Sequence, residues 1–392
     1  MKKIFAICAV FLLALGLTGC DNDYGNDGRE IRDRLIVQGI GVDRTADGYL
    51  LTLQAFNTAV AGGQDDGMSG NVTKVYETSG ATIADAMRNV TLTAGRRPLY
   101  SHNWIIVFGA DVAREGLNET LDFFVRDYAT RPVVDLAVAR GKAADIIKSP
   151  FNGSSIPARE IQMGLKMGQV NAKTLQMPLH KAVTLLEDKT SDVYLPLLKP
   201  VVDKAQEMDT VLTDGLAIFR EGKYVGDLDA DETRALLFLT GQAESGDLVV
   251  EGDSFGKASL ELIKADTKFT TEMKNGLPAY RAEINCVCDL NEIERADFGS
   301  VQSKVRAQIE AAVSTMLESQ LRSTAEICLK SYRSDVLRLG NRLWLSEPDA
   351  FRSVENRWRE VLPKAELTVE VKTTVRRTGQ RSAGLSRRAK RS

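Results

Sequence analysis

Beyond residue 30 the chain alternates short apolar runs with amphipathic stretches, and the period of each run predicts its element. Leu35–Val42 and Tyr49–Phe56 are β-rich runs joined by Asp43-Arg44-Thr45-Ala46-Asp47-Gly48, whose Asp and Gly supply turn geometry, so a hairpin is predicted. Val72–Thr78 predicts a strand, Thr82–Leu92 a helix, and Trp104–Phe108, apolar almost throughout, a central strand. Asp111–Tyr128 predicts helix in two pieces broken at Gly116, followed by a strand at Val133–Ala139 and a short helix at Ala143–Lys148. Such alternation implies a sheet covered by helices. Past the break at Pro150–Pro157, helices are predicted over Arg159–Met167 and Thr174–Glu187. Val193–Val202, interrupted by Pro196 and Pro200, then reads as an edge-like extended run.

A compact unit begins at Gly215: a strand, a Glu221-Gly222 turn, a second strand to Leu228, then a helix expected to be capped by Asp231 and ended at Gly241. Leu248–Glu251, Ala258–Phe269 and Tyr280–Leu290 continue as strands. In the last of these Tyr280, Ala282, Ile284, Cys286, Cys288 and Leu290 share one face. From Val301 the period changes, because Val301, Val305, Ile309, Ala312, Met316, Leu317 and Leu321 step by threes and fours along one long helix. Unbroken to Tyr332, it would be about 48 Å long at ~1.5 Å per residue. Pro348–Leu362 predicts a second helix stopped by Pro363, and Leu367, Val369, Val371, Thr373 and Val375 alternate as a half-buried terminal strand. The pattern predicts an α+β, multi-domain protein with mixed and antiparallel sheets packed by helices, and a long C-terminal helix before the last strand.

The first twenty residues follow a different rule. Lys2 and Lys3 precede an apolar run from Ile4 to Leu17, too short to span a bilayer stably, and Leu17-Thr18-Gly19-Cys20 follows. This is the layout of a secretory signal whose last four positions resemble a bacterial lipobox. Cys20 is therefore expected to carry a diacylglycerol thioether, become the first residue of the mature chain and hold it to a membrane through two or three acyl chains. Asp21–Gly28, rich in Gly, Asn and Asp, reads as a flexible spacer.

Composition is that of an ordinary globular protein: 392 residues with 51 Lys+Arg and 53 Asp+Glu, a formal net charge of −2. No nucleic-acid partner is expected. The distribution matters more than the sum, since Gly379–Ser392 carries Arg381, Arg387, Arg388, Lys390 and Arg391 with no acid and predicts a basic, disordered tail. With Cys8 in the signal and Cys20 lipidated, Cys286, Cys288 and Cys328 remain, an odd number that is no disulfide framework.

Candidate chemistry is thin. Gly39-Ile40-Gly41 lacks the third glycine of a dinucleotide fingerprint, and the Gly62–Gly70 loop is not followed by Gly-Lys-Ser/Thr. His102 and His180 fit no metal pattern; His102, next to the Trp104 strand, reads as structural. Cys286, Cys288 and Cys328 would need a fourth ligand to hold zinc and read as buried thiols. Asp227-Leu228-Asp229-Ala230-Asp231 imitates the start of a calcium loop, but Glu232 stands at the sixth position and Phe238 at the twelfth. Arg126-Asp127 with Arg131 reads as a solvated helix end. Neither enzyme activity nor a cofactor nor a metal is expected.

Several stretches taken together carry a resemblance: Arg29-Glu30-Ile31 through Gly39-Ile40-Gly41-Val42-Asp43; Ala113–Leu117 with Leu121–Asp127; Arg140-Gly141-Lys142-Ala143 with Asp145-Ile146; and the unit Gly215–Gly241. Nearer the end come Ser334-Asp335-Val336, Leu339-Gly340, the Trp358 helix and Val375–Gly379. In this order and number they resemble the C subunit of the spore germinant receptors, the Ger(x)C lipoproteins. The resemblance implies a non-catalytic lipoprotein on the outer face of the spore inner membrane, needed for receptor assembly and for converting a nutrient signal into ion and dipicolinate release. Its implied partners are a multi-spanning A subunit and a second membrane subunit, B, besides the lipid reached through Cys20. Asp21–Gly28 departs from members that place an aromatic-acidic pair directly after the lipid cysteine. A solute-binding lipoprotein and a cell-wall hydrolase are the alternatives in other classes.

The expected layout is a signal at 1–19, the lipidated cysteine and spacer at 20–30, an N-terminal α/β part at 31–205, a C-terminal α+β part at 206–378 and the tail at 379–392. Charged residues beside apolar ones nominate Asp122, Arg126 and Asp127 at one helix end, and Asp227, Asp231 and Arg234 in the turn-helix, as the partner surface.

Overall fold

A computed structural model describes residues 34–57, 72–127, 129–151, 153–205, 207–295 and 303–377. Cys20 with its spacer, the Gly62–Gly70 loop, Val301 and the basic tail lie outside the described residues. No described helix is long and apolar enough to cross a membrane.

The predicted hairpin is β1 (Arg34–Thr45) and β2 (Gly48–Phe56), antiparallel and closed by Ala46-Asp47 alone, a tighter turn than the sequence pattern marked. β3 (Thr73–Gly80) adds to β2, and α1 (Ile83–Ala94), capped by Thr82, returns to β4 (Arg97–Leu99), which pairs with β1. β5 (Ile105–Phe108) and β6 (Asp135–Ala139) then run parallel to β1, linked by α2 (Ala110–Glu115) and α3 (Asn118–Arg126), which part at Gly116. α4 (Ala143–Lys148), α5 (Pro157–Gly168) and α6 (Leu179–Glu187) lead to β7 (Tyr194–Asp203), β8 (Met208–Arg220) and β9 (Lys223–Leu228). Together these make a nine-stranded mixed sheet in the order β3-β2-β1-β5-β6-β7-β8-β9, with β4 beside β1.

Two expectations change here. β7 is not an edge: it lies between β6 and β8, although β6 meets only Leu197 and Leu198, so the bulge between Pro196 and Leu198 and the missing N–H of Pro200 cost the ladder little. The helix predicted from Thr174 starts only at Leu179, because Pro178 disfavours helical backbone before it. The preceding residues 174–177 are neither helix nor strand, and Pro178 bridges to Asp135.

β5, and β6 beyond the buried Asp135 that Gln162 and Gln176 bond, are apolar because both faces of the sheet are covered. Ile105, Val107, Ala137 and Ala139 pack with Ile146, Ile147, Ala158 and Ile161 of α4 and α5, whereas Ile106, Phe108, Leu136 and Val138 join the larger core with Leu117, Leu121 and Phe124. Gly39 and Gly41 serve this packing. A Cβ on Gly39 would sit 2.7 Å from Ala158 Cβ, and one on Gly41 3.2 Å from Ala143 Cβ. The Gly-Ile-Gly run therefore marks close helix-on-sheet approach.

α7 (Ala230–Thr240) follows β9. Its cap is Asp229, not Asp231: Asp229 accepts from the Asp231 and Glu232 N–H groups while Glu232 reaches back to the Asp229 N–H, and Gly241 ends the helix at φ 72°. A second sheet of four strands is ordered β10 (Asp247–Gly252), β11 (Gly256–Lys274), β12 (Leu277–Ile293) and β13 (Glu366–Arg377), with β13 parallel to β12. The predicted β12 face is buried from Tyr280 to Leu290. α8 (Ser303–Glu326) lays Ile309, Val313, Leu317 and Leu321 against the core and widens into a π turn at Ile327–Ser331. The expected helix at Pro348–Leu362 is broken: α9 (Leu339–Ser346) precedes α10 (Pro348–Val354), and α11 (Trp358–Val361) is set off by 3₁₀ turns on either side.

Candidate interaction site

Three polar constellations stand out, and each is assembled from stretches far apart in sequence. The first lies where β1 ends. The buried Asp43 carboxylate accepts the Ala143 and Ala144 N–H groups at 2.8 and 2.9 Å, fixing the start of α4. Burial raises the carboxyl above its usual range, and the two N–H bonds act against that rise. Gly109 has to be glycine, since its Cβ would fall 2.1 Å from Asp43 Oδ1. Gln54 does the same for the end of α4 and the start of α5, accepting from Ala158 N–H at 2.8 Å and donating to Ile147 O at 3.3 Å.

The second constellation sits at the carboxyl ends of the parallel strands. Arg140, just past β6, pairs with Asp214 of β8 and, at 2.6 Å, with Asp227 of β9. Lys199 meets Asp214 at 2.8 Å and the Tyr224 hydroxyl donates to Asp227 at 2.6 Å. Burial works against the Asp214 charge, but Lys199 and Arg140 outweigh it and hold the carboxyl below its usual range. Beside this cluster is a pocket of about 120 Å³ lined by Ala110, Ala113, Arg114, Leu197 and Tyr224. Arg114 pairs with Asp111 at 2.8 Å, so both arginines of the pocket already have acidic partners. The arrangement is a neutralised polar concavity, with no nucleophile-base pair.

The third constellation joins the first sheet to the C-terminal helices. Asp192, fully buried, takes a two-pronged bond from Arg359 and also accepts Glu221 N–H at 2.8 Å and Asp335 N–H at 2.7 Å. Asp335, equally buried, accepts Leu339 N–H, Gly340 N–H and Trp358 Nε1–H at 2.7, 2.9 and 3.2 Å. Burial pushes its carboxyl up to about 7, and the neighbouring Asp192 adds to the rise while the Gly340 and Leu339 bonds oppose it. Ser334 donates to Phe219 O at 2.5 Å, and the Tyr332 hydroxyl donates to Asp227 O at 2.8 Å with its ring over Gly226. Segment 332–340 thereby stitches β8 and β9 to the C-terminal helices.

The nominated surface residues divide. Asp122 and Arg126 form an exposed i,i+4 pair at 2.7 Å, and Asp127 accepts from Thr130 Oγ at 2.8 Å, closing the loop after α3. Asp227 belongs to the Arg140 cluster. Asp231 is exposed and pairs at 2.9 Å with Arg234, which is only 9% exposed and also donates to Asp247 O. His102 is exposed, and His180 Nδ1 lies 3.0 Å from Pro132 O. Cys286, Cys288 and Cys328 are buried free thiols, each pushed by burial up to about 12. Among the described residues no group of three or more His, Cys, Asp or Glu is placed to hold a metal ion. Sequence reasoning missed Arg140, Asp192, Asp214 and Arg359 as network members. The available signal was charge within strand-like or buried stretches, as in Ser191-Asp192-Val193.

Comparison with known proteins matches two family models. The spore germination protein N-terminal domain covers residues 27–200, and the spore germination B3/GerAC-like C-terminal domain covers residues 214–379. Three proteins of Bacillus subtilis (strain 168) align end to end. Spore germination protein KC is 27% identical over 97% of each chain. Spore germination protein B3 is 24% identical over 95% of this chain and 97% of its own, and spore germination protein A3 is 25% identical over 97% and 99%. The crystal structure of the GerBC protein superposes with a TM-score of 0.58 at 20% identity, covering 86% of this chain and 96% of that one, so the fold is shared.

Proposed function

The chain belongs to the GerAC-like family of spore germination proteins, and from that membership we propose that it is the lipid-anchored, non-catalytic C subunit of a spore nutrient germinant receptor. One observation carries the reading: the two family matches fill the chain from residue 27 to 379 apart from residues 201–213, directly behind a lipobox ending at Cys20. In this reading residues 1–19 are removed and Cys20 is acylated. The body, with parts at 31–205 and 206–378, stands on the outer face of the spore inner membrane beside the A and B membrane subunits. The stretches that carried the resemblance support it, because they are the same ones that build the buried networks: Asp43 with Ala143, and Ser334-Asp335 with Leu339-Gly340 and Trp358. Residues spent on an internal joint fit a part that presents fixed surfaces to partners. Asp231 and the rim of the Arg140 cluster are the candidate contacts.

Deleting the gene in a strain without a second copy is expected to block germination by the receptor's nutrients, while spores opened by hydrolysis of their cortex recover normally. Cys20→Ala is expected to leave a folded protein that takes up no labelled fatty acid. Normal nutrient germination in the deletion strain refutes the assignment, and hydrolysis of peptidoglycan by the purified body replaces it with the hydrolase reading.

A further inference from the structure

We infer that a cavity at the carboxyl end of β1 binds a small zwitterion of the amino-acid class, its carboxylate at the start of α3 and its ammonium at Glu119. The inference goes beyond the proposed function and rests on neither acylation nor receptor assembly. The cavity holds about 320 Å³, within the range of small-ligand sites, and such sites lie outside the carboxyl ends of parallel strands. It is distinct from the pocket beside Arg140: Ala110, Ala113 and Arg114 of α2 line that pocket, whereas Val112 and Glu115, on another face of the same helix, line this one. Three stretches far apart in sequence build it. The β1–β2 hairpin supplies Arg44 and Tyr49, opposed in register, with the guanidinium 4.2 Å from the ring centre. The β8–β9 turn supplies Lys223, and it is pinned to α3, since Leu117 N–H donates to Gly222 O at 2.8 Å and the Asn118 amide donates to Glu221 O at 3.2 Å. Gly116, at φ 131°, passes beneath the Lys223 stem, where a Cβ would lie 3.4 Å from Lys223 Cγ.

Thr120 carries the argument furthest. It is only 1% exposed, it lines the cavity, and its hydroxyl bonds no described group. A buried hydroxyl without a partner is costly, and an acceptor placed in the cavity removes that cost. The same turn of α3 leaves backbone donors open. Leu117 at the cap gives no side-chain bond, and the N–H groups of Asn118, Glu119 and Thr120 have no acceptor among the described residues. Open N–H groups at a helix start carry partial positive charge and suit a carboxylate. Lys223, exposed and in no ion pair, stands beside them on the wall.

Charge selects the class of ligand. Arg44 and Glu115 pair with each other and cancel. The remaining charged side chains of the wall are Lys223 and Glu119, one of each sign and neither in an ion pair. A phosphate would meet the Glu119 carboxylate with no charge to offset it, and a simple amine would leave Thr120 and the α3 N–H groups open. A ligand with one carboxylate and one ammonium satisfies both sides. Tyr49 and the buried Val112 add an apolar wall for its side chain.

The test titrates the purified full-length chain with each of the common amino acids at millimolar concentration and follows its melting temperature. The strongest binder is then compared with its analogues lacking the ammonium or the carboxylate, and with inorganic phosphate. At least one amino acid is expected to raise the melting temperature, and each analogue to bind about tenfold more weakly or worse. Thr120→Val, Lys223→Ala and Glu119→Gln are each expected to weaken binding about tenfold. Thr120→Val is expected to do so without lowering the melting temperature of the free chain, because it removes an unbonded hydroxyl, and Thr120→Ser to retain binding. Arg114→Ala, in the neighbouring pocket, is expected to bind as the wild type does. A chain that no amino acid stabilises overturns the inference. An analogue without the ammonium, or inorganic phosphate, that binds as tightly as the amino acid makes this a plain anion site and overturns it too. Binding that survives all three wall variants, or that falls with Arg114→Ala and not with Lys223→Ala, places the ligand elsewhere and overturns it as well.

Discussion

Glu318 of α8 accepts the backbone N–H of Val371 in β13 at 2.9 Å, and two further rungs follow it: Ser314 Oγ with Thr373 N–H at 3.1 Å and Glu310 with Val375 N–H at 2.8 Å. The spacing is a matter of geometry. Four residues of helix rise about 6.0 Å and two residues of strand about 6.6 Å, so side chains at i, i+4 and i+8 reach alternate N–H groups of an adjacent strand. β12 covers the other side of β13, and α8 closes what would be an open edge.

Glu318→Ala and Glu310→Ala are each expected to lower stability by about 1–2 kcal/mol, since each strands a half-buried N–H donor. Urea unfolding measures the loss. The double variant is expected to self-associate through β13 on size-exclusion chromatography, and a double variant that stays monomeric shows the edge to be guarded in another way.

Arg359→Ala removes the cation facing the fully buried Asp192 and is expected to cost about 3–5 kcal/mol. Arg359→Lys, which keeps charge but not the two-pronged geometry, should cost less. A loss below about 1 kcal/mol for the alanine variant means that the joint does not depend on the pair.

Asp335 gives the protein a pH dependence of definite sign. Its carboxyl is raised from 3.8 to about 7 in the folded state, so its contribution to stability is complete below about pH 4 and is lost as pH rises through about 7. Within that window the slope attributable to it is at most about 1.4 kcal/mol per pH unit. Asp335→Asn is expected to remove this part of the slope in a pH series of unfolding free energies. A variant whose slope matches the wild type assigns the dependence to other groups.

Gly39→Ala tests the reading of the Gly-Ile-Gly run. With Ala158 Cβ 2.7 Å from the new methyl, overpacking of about 1–3 kcal/mol is expected, with added dinucleotide or phosphate leaving the melting temperature of the wild type unmoved. Ligand-induced stabilisation of the wild type that the variant loses would overturn this reading in favour of phosphate binding.

Asp231 and Arg234 separate surface from core within one ion pair. Asp231→Lys, at an exposed side chain, is expected to change stability by under about 1 kcal/mol and to weaken co-purification with the membrane subunits. Arg234→Glu places a carboxylate in a buried site next to Asp247 O and is expected to cost about 3 kcal/mol or more, so its loss of assembly would report unfolding. Undiminished co-purification of Asp231→Lys removes this turn-helix from the contact surface.

Local pattern alone placed the elements whose character depends on nearby residues. The β1–β2 hairpin, the break at Gly116, the buried face of β12 and the alternation of β13 follow from period and turn chemistry. The cap of α7 was misread by two residues because Asp229 and Asp231 are chemically alike, and only the reciprocal bond from Glu232 distinguishes them.

Tertiary structure decided everything that depends on partners distant in sequence. No spacing rule ties Asp192 to Arg359, 167 residues apart, or Asp43 to Ala143, and none shows that β7, with its two prolines, lies inside a sheet. A charge in a short apolar stretch reads as exposed until the fold supplies its counter-charge, so Asp192 and Asp335 were invisible as a joint. The sequence by itself determined most of the strands and helices, because those depend on neighbours within a few residues, while the late start of α6 and the breaks within Pro348–Leu362 came only with the fold. Which charges are buried and which glycines are contacts were settled only when the chain closed on itself, because desolvation and close approach are properties of pairs that the linear order leaves apart.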